Sequence, residues 1–235
     1  MKQRIQAYLA RLAWIRENRA IPFIAGLTVV FLALSLAIHS PALLEVDRAI
    51  TRSIQSVRSP LLDRVAIAFT FLGNTWTLIA FGACCLTVFA WYAKPRTGLI
   101  CASTLLALPL NVWIKSVADR PRPSGDLVDV VIPAIGLSYP SGHAMASVAL
   151  FGFLSLLSWV HIQRRPVRTA LATAFALFTV GISLSRVYLG AHWISDVVGG
   201  STAGLILIFL FAEIYKYAAA AELAPQPAIL ARAGP

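Results

Sequence analysis

Two histidines, one carboxylate and three cations stand out in a chain that is otherwise strongly apolar. They fall in three short segments, KSVADRPRP (115–123), YPSGH (139–143) and SRVYLGAHWISD (185–196). Lys115, Arg122 and Arg186 have little acid near them in sequence, which suits an anion with several oxygens. Arginine offers such an anion a planar fork of donors, and lysine offers a point charge. Ser141 and Gly142 open an apolar run, and the free N–H groups at a helix start also favour an anion. His192 and Asp196 are spaced i, i+4, so a helix would place them on one face. A carboxylate that accepts from one ring nitrogen fixes the tautomer and leaves the other nitrogen free to attack. The surrounding cations oppose a further positive charge and keep that imidazole neutral. His143 is then available to protonate a leaving oxygen and later to activate water. Together these residue types describe phosphoryl chemistry.

Taken singly, each has an ordinary explanation. Lys115 can be a snorkelling anchor at the end of a membrane span, Ser141 an N-cap, Asp196 a helix cap, and His192 an interfacial residue. Jointly, those explanations need separate coincidences on one face of the molecule.

The elements that must position these residues are membrane helices. Of 235 residues, 58% are hydrophobic and only 13% charged, and the mean hydropathy is +0.76. A soluble domain is nearer half apolar and a quarter charged, so the excess faces lipid. Six apolar runs are long enough to cross a bilayer: 21–39, 75–93, 97–114, 144–160, 169–185 and 197–215. The reading is an all-α, six-transmembrane-helix bundle with amphipathic interfacial helices. Residues 1–20 read as a cytoplasmic amphipathic segment, 21–217 as the membrane domain and 218–235 as a disordered cytoplasmic tail. The segment between the first two runs carries apolar residues at helical spacing, which predicts one or two amphipathic helices on the membrane surface. Gly199, Gly200, Ser201, Ala203 and Gly204 open the last run and suit close helix packing. Cys84, Cys85 and Cys101 lie inside apolar runs and read as small hydrophobes, not as a disulfide or metal framework.

Charge sets the orientation. The net charge of +10 would suit nucleic acid, but the basic residues lie in short clusters between apolar runs, as the positive-inside rule produces. Twelve of the twenty Lys and Arg residues fall on one side, among them Lys2, Arg4, Arg11, Lys94, Arg96, Arg164, Arg165 and Arg168. That side is read as the cytoplasm, with both termini in it and the three polar segments on the opposite face. Trp14, Trp91 and Trp159 at one face, with Trp76, Trp113 and Trp193 at the other, read as aromatic belts.

The three segments, K-x6-RP (115–123), PSGH (140–143) and SR-x5-H-x3-D (185–196), together resemble the tripartite motif of the type 2 phosphatidic acid phosphatase (PAP2) family. That resemblance implies a membrane lipid phosphatase that takes a lipid phosphate as substrate and needs no cofactor and no metal. It implies that His192 is the nucleophile forming a phosphohistidine, Asp196 its orienting partner and His143 the general acid. Lys115, Arg122, Ser141, Gly142 and Arg186 would hold the phosphoryl oxygens. By similarity to bacterial members, the chain belongs in an inner membrane with its site facing the periplasm or exterior. The substrate is of the undecaprenyl diphosphate, phosphatidylglycerophosphate or phosphatidate type, with undecaprenyl diphosphate recycling favoured by analogy alone. A phosphotransferase acting on an acceptor such as lipid A is the competing activity, and a non-enzymatic lipid-binding protein a third. Nothing in the sequence fixes the oligomeric state.

Several polar residues keep plainer roles in this reading. His39 and His161 are interfacial, Asp119, Asp126 and Asp129 are solvated, and Glu213 lies far from the site. Arg120 stands between two roles, substrate contact or mere spacer. Asn74 and Thr75 support the site or cap a helix.

Overall fold

The computed structural model describes residues 20–92 and 94–223, so all but the last residue of the amphipathic segment 1–20, and the tail beyond Leu223, lie outside the described residues. Among the described residues there is no strand, and apart from the loop 119–141 and short turns the chain is helical. Nine α-helices follow in order: α1 (Ala20–Ala37), α2 (Pro41–Gln55), α3 (Pro60–Leu72), α4 (Thr75–Trp91), α5 (Pro95–Ser103), α6 (Ala107–Ala118), α7 (Gly142–His161), α8 (Arg165–Tyr188) and α9 (Ile194–Leu223). The last runs past residue 217, where the sequence reading ends the membrane domain.

Local chemistry explains the helix starts. Ser40 and Ser59 each cap a helix whose first residue is proline, accepting from the N–H of Leu43 and of Leu62. Proline has no N–H to leave unpaired there, and its φ is already helical. Asn74 caps α4 by accepting from Trp76 N–H. A single turn of 3-10 helix, Thr104–Leu106, joins α5 to α6. Pro109 follows it, and proline cannot donate to the carbonyl four residues back, so the tighter turn falls where the α-helical ladder is interrupted.

Four unbroken helical stretches are long and apolar enough to cross a membrane: Pro95–Ala118, Gly142–His161, Arg165–Tyr188 and Ile194–Ala218. Two bent pairs, α1 with α2 (102°) and α3 with α4 (52°), bring the number to six if each is one span. The structure thus shows the helical membrane bundle, and places two helices in the segment between the first two apolar runs.

Helix α7 is the centre of the bundle, with α8 and α9 packed along it. Phe151 on α7 meets the rings of Phe81, Phe175 and Phe178, and Phe153 meets those of Phe211 and Tyr215. On α9, a Cβ added at Gly200 would stand 2.4 Å from the Ser141 carbonyl oxygen, and one at Gly204 would stand 2.7 Å from that of Met145. These glycines let α9 approach the α7 backbone where the PSGH segment begins. Gly200→Leu is expected to cost about 1–3 kcal/mol by overpacking, read as a lower Tm in detergent, with loss of turnover because Ser141 must shift.

Outside the bundle, large apolar side chains are exposed, as a lipid-facing surface requires. Trp91 is 86% exposed, whereas Trp193 is only 2% exposed. Trp193 is therefore not part of an aromatic belt; it is buried in the protein. Trp14 lies outside the described residues.

Candidate active site

The three polar segments converge at one end of the bundle on a cavity of about 400 Å³. Lys115, Arg122, Gly142, His143, Arg186 and His192 line it, together with Gly73, Thr75 and Asn111. Two expected site residues do not line it. Asp196 lies behind His192, fully buried, and Ser141 is buried one residue back from Gly142.

Each side chain reaches the cavity for a local reason. Lys115 sits in the last turn of α6 and donates to the carbonyls of Leu137 (2.5 Å) and Ser138 (2.8 Å). Arg122, in the following loop, donates from Nε to Gly136 O (3.0 Å) and from Nη1 to Ala191 O (2.7 Å). Arg186 ends α8, and its Nη1 donates to the Thr70 hydroxyl on α3. The Nε of Arg186 and the Oγ of Ser141 are buried with no hydrogen-bond partner. Ser141 stands at the N-cap position of α7 but makes no side-chain cap bond. Buried polar groups are almost always paired, so two orphans beside a cationic cavity are what an oxyanion would satisfy.

His143 begins α7 with its ring in the cavity. A Cβ at Gly73 would fall 2.4 Å from Ile182 Cγ2 and 3.0 Å from His143 Cδ2, so the residue that caps the end of α3 must be small for the imidazole to keep its place. Gly73→Val is expected to lower kcat about tenfold or more by displacing His143, since small misplacements of reacting groups are costly. Steady-state assay of the variant checks this.

The relation of His192 to Asp196 differs from the sequence expectation of a shared helix face. His192 lies in the turn before α9, and Asp196 in the first turn of that helix. Asp196 Oδ2 accepts from the N–H of Trp193 (2.9 Å), so the carboxylate reaches back over the helix start as in a capping box. The same oxygen lies 3.4 Å from His192 Nδ1 and accepts from the Ser138 hydroxyl. Since Asp196 can only accept, Nδ1 carries the proton and Nε2 is free. That nitrogen faces Arg122 Nη1 at 3.0 Å.

Burial is the main influence on charge here. It pushes the His192 pKa down to about 3, against the pull of Asp196 and aided by Arg122 and Arg186. Desolvation, more than the cations invoked from sequence, thus keeps the imidazole neutral. Burial also lowers the pKa of Arg122, with Asp196 opposing. His192 is therefore neutral around neutral pH. A fall in kcat/KM between pH 7 and 5 is expected to follow ionisation of the substrate phosphate, and to move with that pKa when the phosphate ester is changed.

Four supporting residues escaped sequence reasoning. Arg120 is 2% exposed and does not touch the cavity; it pairs with Asp196 at 2.7 Å and with Asp47 at 2.6 Å, so neither substrate contact nor mere spacer describes it. Ser195 donates to Asp47 from its hydroxyl (2.6 Å) and from its N–H (2.9 Å). Asn111 Nδ2 donates to Pro140 O at 3.0 Å and steadies the PSGH turn. The signal for Asn111 was an amide inside an apolar run; for Asp47 it was a polar stripe with Thr51 and Gln55 along α2. Elsewhere, Asp129 pairs with Arg58 (3.2 Å), His39 bonds Ala118 O (2.9 Å), and His161 lies between Tyr215 (2.8 Å) and Lys94 (3.1 Å).

Residues 96–220 match the PAP2 superfamily. Phosphatidylglycerophosphatase B of Bacillus subtilis (strain 168) is 30% identical over 191 residues, covering 79% of this chain and 91% of its own. The chain belongs to the PAP2 superfamily. A second PAP2 relative, the lipid A 4'-phosphatase of Porphyromonas gingivalis, is 28% identical over 75% of each chain. The crystal structure of a transmembrane PAP2 type phosphatidylglycerolphosphate phosphatase from Bacillus subtilis superposes with a TM-score of 0.76 at 27% identity, covering 83% of this chain and 96% of that one. The Aquifex aeolicus LpxE structure gives 0.55 at 25% identity, covering 71% and 94%. This PAP2 protein is thus a multi-pass membrane enzyme of the lipid phosphatase class, a hydrolase of phosphate esters.

Proposed function

We propose that this PAP2 enzyme hydrolyses a phosphate monoester or diphosphate of a membrane lipid through a phosphohistidine at His192. The observation that carries the reading is that three cations and both histidines line one cavity, with Asp196 against the far side of the His192 ring. Lys115, Arg122 and Arg186 hold the phosphoryl oxygens, helped by Ser141 and the Gly142 backbone. In that role they supply the charge stabilisation that magnesium supplies in other phosphoryl transfers, so the reaction needs no metal.

In the first step Nε2 of His192 attacks phosphorus and the bond to the lipid oxygen breaks. His143, beside the negative charge of the phosphate, gives its proton to that leaving oxygen. Asp196 accepts from Nδ1 and stabilises the positive charge that grows on the ring. In the second step His143 takes a proton from water, the water oxygen attacks phosphorus, and the P–N bond breaks. Inorganic phosphate leaves and neutral His192 returns.

The charge bias of the sequence supports both termini in the cytoplasm and phosphate release on the extracytoplasmic side of a bacterial inner membrane. The names of the relatives support phosphatidylglycerophosphate as the first substrate to assay, with phosphatidate and undecaprenyl diphosphate in the same screen. Phosphate release in detergent from these lipids tests the reading, and activity is expected to persist in excess EDTA. A strict divalent-ion requirement would overturn the metal-free scheme. The lipid A 4'-phosphatase relative motivates one further arm: phosphoryl transfer to a lipid A-type acceptor without free phosphate would make the enzyme a phosphotransferase instead.

A further inference from the structure

Beneath the cavity lies a buried chain of charges whose far end comes from outside the matched family region. Helix α2 turns Asp47, Thr51 and Gln55 inward and leaves Val46 and Ile50 exposed. It thus presents its polar stripe, not its apolar one, to the protein. Asp47 is completely buried, with one oxygen 2.6 Å from Arg120 Nη2 and the other 2.9 Å from the N–H of Ser195. Arg120 then reaches Asp196 through Nη1 at 2.7 Å, and the same nitrogen lies 2.6 Å from the Ser195 hydroxyl.

We infer that Asp47, through Arg120, is a positioning residue for the His192–Asp196 pair, contributed by a helix that touches no substrate. Two physical arguments carry this. First, Ser195 is in the first turn of α9, where N–H groups have no partner within the helix and a carboxylate is favoured by the helix dipole. Asp47 therefore caps the helix that carries Asp196. Second, Arg120 is shared between two carboxylates. With Asp47 in place, Asp196 keeps enough negative charge to hold the Nδ1 proton of His192; without it, the whole guanidinium charge bears on Asp196. An acceptor weakened in this way is a poorer partner for the charge that forms on His192.

The inference rests on the reading of His192 as nucleophile, and its test separates the two. Asp47→Asn keeps the shape and removes the charge. The double variant Asp47→Asn/Arg120→Gln also removes the guanidinium, so no buried cation is left without its Asp47 partner, and Asp196 keeps the Ser138 hydroxyl and the Trp193 N–H. In detergent-purified full-length enzyme, kcat is expected to fall about tenfold in each, in the first because the whole charge of Arg120 bears on Asp196 and in the second because Asp196 loses the guanidinium that holds it. KM for the lipid phosphate is expected to stay within about twofold, because neither residue lines the cavity. In an Asp196→Asn background, Asp47→Asn is expected to change kcat by less than about twofold, since the link it acts through is gone.

An equal loss of kcat in both backgrounds, an unchanged kcat, or failure of both variants to yield folded protein would reduce the pair to a structural tie and overturn the inference. His192→Ala serves as the control. If it keeps full activity, the nucleophile assignment fails; if it is inactive while Asp47→Asn is unaffected, only the positioning role fails.

Discussion

Replacing His192 by alanine is expected to lower kcat by roughly ten-thousandfold or more, the scale seen when a covalent nucleophile is removed from a preorganised site. Lipid phosphate binding should be nearly intact, because Lys115, Arg122 and Arg186 still line the cavity. The imidazole is buried and makes no bond to the bundle core other than through Asp196, Ser138 and Arg122. Its loss should therefore leave the helices folded. A kcat loss with an unchanged Tm and an unchanged inhibition constant for inorganic phosphate is the expected pattern. Retained turnover on every lipid phosphate would remove the nucleophile from the scheme.

The second large effect belongs to His143, and its size is expected to depend on the substrate. General acid catalysis contributes about 10²- to 10⁴-fold, and most when the leaving oxygen is basic. A lipid alcohol is such a leaving group; an aryl phosphate is not. His143→Ala is thus expected to lose about 10³-fold on a lipid phosphate, and markedly less in the first step with p-nitrophenyl phosphate. Release of nitrophenolate in a burst, followed by slow turnover, would show that bond cleavage no longer needs the acid while water activation still does. Equal losses on both substrates would mean that His143 acts on binding, not on proton transfer.

The parts of this site that could be read in the sequence are those set by residue type and short spacing. Three cations, two histidines and an aspartate in three segments at span ends are enough to describe an anion site. The length of the apolar runs places those ends on one face. The capping pairs Ser40–Pro41 and Ser59–Pro60 mark two helix starts equally locally. What escaped depends on contacts between distant positions. Asp47 and Arg120 are 73 residues apart, and Asp47 and Ser195 are 148 apart. No local pattern couples them, and an amphipathic helix at a membrane is expected to turn its polar stripe to water. Only the fold shows that α2 turns that stripe inward. Trp193 escaped in the opposite direction: a tryptophan at a span end suits an interfacial belt, and only packing shows that it is buried.

The i, i+4 spacing of His192 and Asp196 predicts a pairing on one helix face, and the structure makes the pairing without the shared face. The pair closes across a helix start, where the carboxylate also holds the Trp193 N–H. A carboxylate fixed in this way has little freedom to follow the ring. The imidazole is held between that fixed carboxylate and Ser138 at Nδ1 and Arg122 at Nε2.

The most direct test of the account is to identify the residue that carries the phosphoryl group during turnover. Enzyme mixed with lipid [³²P]phosphate and quenched in alkali within the first turnover should hold label that survives base and is lost in acid, as a P–N bond requires. Peptide mapping is expected to place it on His192, with none on the His192→Ala protein. Label on a different residue, or undiminished label on the His192→Ala protein, would contradict the account.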